Sequence, residues 1–168
     1  MIAKLAKIAE SQVGVRESGT NSGGSIRKYQ EATSLDPGAW PWCAAFVDWC
    51  IAEWLKDDEV IAWLGLKVRT PEAWRPKTAL AYGFLGWAKD RPNTTEVLMP
   101  SAKAQAGDIV MYTFSHVGIV LSDNGKTLQT VEGNTNGEGS REGDGVYFKT
   151  RAKSLVRRYV RITPSLRA

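Results

Sequence analysis

Residues 107–134, GDIVMYTFSHVGIVLSDNGKTLQTVEGN, decide the fold of this chain. Three runs rich in β-branched residues, DIVMYTF, HVGIVLS and TLQTVEG, are separated by turn signals, which predicts neighbouring antiparallel strands. The second and third are joined by Asp123-Asn124-Gly125. A three-residue hairpin loop ends on a left-handed residue, and Gly125 suits that position. Such a loop pairs Ser122 with Lys126, and counting back sets His116 opposite Glu132. Opposed residues share a face with Cβ atoms ~5 Å apart. Asn134, two residues further, stays on that face. A two-residue Asn-Gly loop would instead turn Glu132 to the other face. The register therefore governs whether His116 has a carboxylate partner.

Outward from this stretch the two directions differ. Toward the C-terminus, GNTNGEGSREGDG (133–145) reads as a long Gly-rich loop, and VYFKTR and LVRRYVRIT read as two more strands. Toward the N-terminus the period is helical. Residues 2–13 form an amphipathic pattern ended by Gly14, and 26–33 a short helix with Ile26 and Tyr29 inward. Residues 42–55, WCAAFVDWCIAEWL, carry the strongest pattern, with Cys43, Phe46, Val47, Cys50, Ile51 and Trp54 on one stripe. Pro41 precedes it, where a missing N–H costs nothing. A further turn is expected at 57–64, a helical stretch within 71–89 after Pro76, and a connecting loop at 90–106. Helices followed by an antiparallel sheet imply an α+β fold. With 168 residues and no internal repeat or linker, one domain over 1–168 is expected.

Hydrophobic residues make up 43% and charged residues 24%, an ordinary globular balance. Seven Trp is high for this length, and the surplus points to an apolar groove. Net charge is +4 without a dense Lys/Arg block, which argues against a nucleic-acid groove. The start, MIAKLAKIAESQ, lacks the continuous apolar run of a signal peptide, and no stretch reaches membrane-spanning length. Synthesis in a cytosol with export by another route is expected, as is a monomer.

The chemistry rests on two Cys and one His. Seven residues apart on a helix, Cys43 and Cys50 lie ~10 Å apart along the axis, too far for a disulfide. The same set makes a poor zinc site. A nucleophilic thiol needs a lowered pKa, a base and a group that orients the base. Cys43 sits in the first helical turn, where free N–H groups and the helix dipole favour a thiolate. Cys50, two turns in on the buried stripe, reads as core. His116 is the only candidate base. Glu132 or Asn134 can hold its ring in one tautomer, and removing Glu132 is expected to move the acid limb of a pH–rate profile. Trp40 and Trp42 flank the nucleophile, and at least one is expected to line a substrate cleft.

The ordered set PWCAAFVDWC, AGDIVMYTFSHVGIVL and TVEGNTN resembles the CHAP domain, the cysteine, histidine-dependent amidohydrolase/peptidase family, over roughly Leu5 to Thr163. The resemblance implies a papain-like fold and cleavage of amide or peptide bonds in peptidoglycan. It assigns Cys43 as nucleophile, His116 as base, and Glu132 and Asn134 as orienting groups. Such domains occur in phage endolysins and bacterial autolysins, and release through a holin-type or other route would bring this one to the cell wall. Some members carry an acid-rich calcium loop before the nucleophile; that stretch here offers only Asp36, so neither metal nor other cofactor is expected. At 168 residues, no separate wall-binding domain is expected. WCAA in place of a DCSG-like motif sets it apart from NlpC-type peptidases. Two rival readings are a non-catalytic wall-binding or phage structural module and a contact-delivered toxin with the same chemistry.

Overall fold

The computed structural model describes residues 1–67, 70–135 and 143–166. Among them are helices α1 (Ala3–Glu10), α2 (Gly24–Gln30), α3 (Cys43–Trp54), α4 (Asp58–Trp63), α5 (Pro71–Trp74) and α6 (Gly83–Lys89). The strands are β1 (Thr95–Leu98), β2 (Ile109–Tyr112), β3 (Val117–Asp123), β4 (Thr127–Thr135), β5 (Gly145–Ala152) and β6 (Val156–Ile162). They form one antiparallel sheet in the order β1-β6-β2-β3-β4-β5. The fold is α+β with the helices preceding the sheet. Most of the Gly-rich loop expected over 133–145 lies outside the described residues.

Helix α3 packs against α1, α2, β3 and β4. It is apolar almost all round, so Ala44, Ala45 and even Asp48 are buried along with the expected stripe. Burial holds the Asp48 carboxyl well above the usual carboxylate range, with the Arg75 charge opposing the shift. Gly133 allows the close approach of α3 to β4: a methyl there would lie 2.7 Å from Phe46 Cβ and 2.9 Å from the Trp42 ring.

Both faces of the sheet are covered at its centre. Ile109 and Met111 of β2 join the helix-side core, while Val110 and Tyr112 join a second cluster with Val120, Leu128 and Tyr159. Gly107 and Asp108 lock the entry to β2. Gly107 has φ +95° and sits against the Ile2 backbone, where a side chain would clash. Buried Asp108 accepts Arg161 at 2.9 and 2.7 Å and the Gln105 N–H at 2.9 Å.

The structure corrects three expectations. Residues 95–98 within the expected 90–106 loop form β1, paired with β6; the run is only four residues long and lies at the sheet edge. Of the stretch expected to be helical after Pro76, only α6 (Gly83–Lys89) is, and a separate turn, α5 (Pro71–Trp74), precedes Pro76 and ends at Arg75, which is extended (φ −64°, ψ 154°). The β3–β4 register also differs. Ile119 pairs with Val131 and Val120 with Thr130, then after an irregularity Ser122 pairs with Gln129 and Asp123 with Leu128. Ser122 does not pair with Lys126, because the turn is wider. Asn124 Oδ1 accepts the N–H groups of Lys126 (3.0 Å) and Thr127 (2.8 Å), and Asp123 Oδ1 accepts that of Gly125 (2.7 Å). Extended to the site, this register sets Gly118 across from Glu132. The displacement is an even number of residues, so His116 keeps the face of Glu132 as a diagonal neighbour.

Candidate active site

The site forms where the start of α3 meets the start of β3. In α3 the first helical bond is Phe46 N–H to Trp42 O, at 3.0 Å. The N–H groups of Cys43, Ala44 and Ala45 therefore lack partners within the helix, as in any first turn. Cys43 is 6% exposed and His116 wholly buried.

His116 Nε2 lies 2.9 Å from Glu132 Oε1. Its other nitrogen, Nδ1, is buried with no other hydrogen-bond partner, which leaves it for the Cys43 thiol. Burial alone would lower the imidazole pKa. Hydrogen bonding and charge from Cys43 and Glu132 outweigh it and raise the pKa to about 9. At neutral pH the ring is thus held as an imidazolium between Cys43 Sγ and the Glu132 carboxylate.

Glu132 is held by more than the histidine. Its carboxylate accepts Tyr112 Oη at 2.7 Å and Thr130 Oγ1 at 2.6 Å, and forms a buried ion pair with the Arg151 guanidinium. Burial pushes its pKa up, but the His116 and Arg151 bonds prevail and hold it well below the usual carboxylate range. The Tyr112, Phe114 and His116 rings lie near-parallel, with centroids 5.2–6.0 Å apart, and Arg151 caps the first two at 5.3 and 5.4 Å. Tyr112, Thr130 and Arg151 were not singled out from sequence. Thr130, two residues before Glu132 in its strand, was the one that alternation could have found.

Asn134 is the penultimate residue of β4 and lies in the one-residue bulge between Glu132 and Thr135, in the left-handed region (φ 53°), with its side chain buried. Simple alternation does not carry across such a bulge. Its carbonyl accepts the Gly143 N–H at 3.1 Å.

The two tryptophans part company. Trp42 is wholly buried, stacked on Tyr29 at 5.6 Å, and donates from Nε1 to Glu17 at 3.0 Å. With no surface to offer a ligand it is a core residue, contrary to the substrate-binding expectation. Trp40 lines a cavity of about 260 Å³ that opens on Cys43, together with Leu35, Leu80, Ala81 and Ser115. The leucines and the serine were not anticipated.

Gly118 is the tightest element of this arrangement. A methyl there would lie 2.5 Å from Glu132 Cγ and 3.1 Å from Val131 O. Gly118→Ala is expected to cost about 1–3 kcal/mol of stability by overpacking. It should also lower activity by ~10-fold or more, because Glu132 is displaced from His116. Thermal unfolding and initial rates on one preparation check both.

Comparisons with known proteins bear on the fold and the family. In fold the chain is similar to the crystal structure of Ly7917, at 19% identity and a TM-score of 0.53 over 98% of this chain and 62% of that one. A second structure, Ly7917 with the hydrolyzing product of MDP, aligns at 18% identity and a TM-score of 0.42, over 98% of this chain and 63% of that one. This chain thus spans less than two thirds of the length of Ly7917. Curated proteins give no match. The CHAP domain model matches residues 35–134, from the rim of the Cys43 cavity to the end of β4 and more than half of the sequence. The chain belongs to the CHAP domain family.

Proposed function

We propose that this protein hydrolyses an amide or peptide bond of peptidoglycan through a thioester on Cys43, in the manner of a phage endolysin acting on the wall after release from the cytosol. The observation that carries this reading is the buried imidazole held between a helix-start thiol and a fixed carboxylate. Membership of the CHAP domain family, matched over residues 35–134, supports the choice of substrate.

The steps follow from the geometry. With the thiol proton already resting on His116, the Cys43 thiolate attacks the carbonyl carbon of the scissile amide. The developing oxyanion is met by the unpaired N–H groups of the first turn of α3. Collapse breaks the C–N bond, and the leaving amine takes the His116 proton. His116 then deprotonates a water that attacks the thioester, releasing the acid and restoring the thiol. Glu132 fixes the ring throughout, and Asn134 assists in placing the ring or the substrate.

The deciding experiment is digestion of purified sacculi with mass spectrometry of the products. New amine and carboxyl ends at one kind of bond, absent with Cys43→Ala, are expected. Intact sacculi after treatment with folded protein would favour a wall-binding module. No step above uses a metal ion, so turnover should persist in EDTA; loss restored by calcium or zinc would count against the scheme.

A further inference from the structure

We infer that the cavity beside Cys43 is a specificity pocket for an uncharged, small apolar stretch of peptide, with Leu80 and Trp40 as the residues that set the preference. This rests on the hydrolase reading and deepens it. Peptidoglycan peptides offer both small apolar residues, such as alanine, and charged ones, such as glutamate and diamino acids. The pocket is built for the first kind.

Among the described residues its lining carries no charged side chain. Beside Leu35, Trp40, Leu80 and Ala81 it adds only Pro41 and Ala79, and its single side-chain hydroxyl is that of Ser115. Leu80 is 72% exposed and Leu35 50% exposed. Each forgoes much of the stabilisation that burying such a side chain yields. Exposed leucines flanking a nucleophile mark a binding surface. A charged residue entering this space would lose water and find no counter-ion. A sugar would find one hydroxyl to pair with. The volume, about 260 Å³, falls just below the ~300–1,000 Å³ usual for small-molecule sites and suits a short peptide segment.

The rims are also fixed in advance. Trp40 Nε1 donates to Asp36 O at 2.8 Å, and its indole lies over Gly38, where a methyl would come within 3.2 Å of the ring. Leu80 is presented by a tight turn: its N–H donates to Thr78 Oγ1 at 3.0 Å and its carbonyl accepts the Gly83 N–H at 3.0 Å. The two rims are tied by Ser34 N–H to Lys77 O (3.0 Å) and by Arg75 to Ala32 O (2.6 Å). The charges nearest in sequence lie outside the lining: His116, next to Ser115, is taken up by Glu132 at 2.9 Å, Lys77 pairs with Glu72 at 3.1 Å, and Asp36 is not among the lining residues. A pocket that does not need to be ordered on binding discriminates at little entropic cost.

The test uses soluble peptide amides cut by the wild-type protein, varied in turn on each side of the scissile bond from Ala to Glu or Lys. On one side, the charged residue should lower kcat/KM by ~10-fold or more, chiefly through KM. Leu80→Asp should lower kcat/KM for the alanyl substrate to a similar extent and narrow its advantage over the lysyl one. Alkylation of Cys43 by iodoacetamide should be retained, showing an intact nucleophile. Equal turnover of alanyl and charged substrates on both sides, or an unaltered preference in Leu80→Asp, overturns the pocket assignment. A wild-type protein that alkylates but cuts no peptide amide and no sacculus overturns the hydrolase reading on which it stands.

Discussion

Replacing Cys43 by alanine is expected to lower peptidoglycan turnover by ~10⁴-fold or more, the scale on which nucleophile removal acts in triad enzymes. The thioester route has no other thiol to fall back on. Cys50 is wholly buried two helical turns further on, and burial pushes its thiol well above the usual range, with Glu53 adding to the effect. It is neither ionised nor reachable. Cys50→Ser places a hydroxyl in an apolar site and should cost roughly 1–3 kcal/mol of stability, while the folded fraction keeps its specific activity. Sacculus lysis rates normalised to folded protein, with unfolding curves for both variants, separate the two effects. An active Cys43→Ala together with a folded but inactive Cys50→Ser would reverse the assignment.

Which parts of this site were legible in the sequence follows from the range of each interaction. Helix α3 and the position of Cys43 at its start are local, set by a helical period and by Pro41. The three central strands are also local, written in β-branched runs. The pairing of His116 with Glu132 sits one level higher. Its face followed from parity, but its register did not, because Asn124 closes a wider turn with its side chain than the three-residue loop inferred from Asp-Asn-Gly. The glycine of HVGI acquires its meaning only then: Gly118 makes room for Glu132. Arg151 was beyond reach. It enters through the β4–β5 pairing, Leu128 with Arg151, and the connection between those strands is too long for counting to fix a register. Trp40 and Trp42 show a similar limit. Two residues apart with the same side chain, one lines the cavity and the other fills the core, and the distinction depends on Tyr29 and Glu17 from elsewhere in the chain.

Glu132→Gln is expected to lower the rate by ~100-fold or more, on the scale of general-base contributions. The amide keeps an oxygen that can accept the ring N–H, but it removes the charge that stabilises the imidazolium. His116 has a pKa of about 9 because Cys43 and Glu132 overcome burial. Without Glu132 the burial penalty remains, and the nearby Arg151 cation loses its counter-charge, so the pKa of His116 must fall. The imidazolium is populated below that pKa. Lowering it closes the active window from the alkaline side, and the alkaline limb of the pH–rate profile should move to lower pH. Sequence alone placed the shift on the acid limb, from the loss of the partner that stabilises the imidazolium; with the imidazolium held up to about 9, the limb that moves is the alkaline one. The substitution also takes the Glu132 charge out of its buried pair with Arg151, whose side chain is only 9% exposed. Breaking a buried pair by removing one partner costs about 3–5 kcal/mol. A second variant, Glu132→Gln with Arg151→Met, removes both charges and should recover much of that stability without recovering the rate. Asn134→Ala should cost less activity than either, since it removes no charge. If the double variant regains the rate along with the fold, Glu132 serves only to balance Arg151. If Glu132→Gln leaves rate and profile unchanged, the carboxylate does not govern the imidazole.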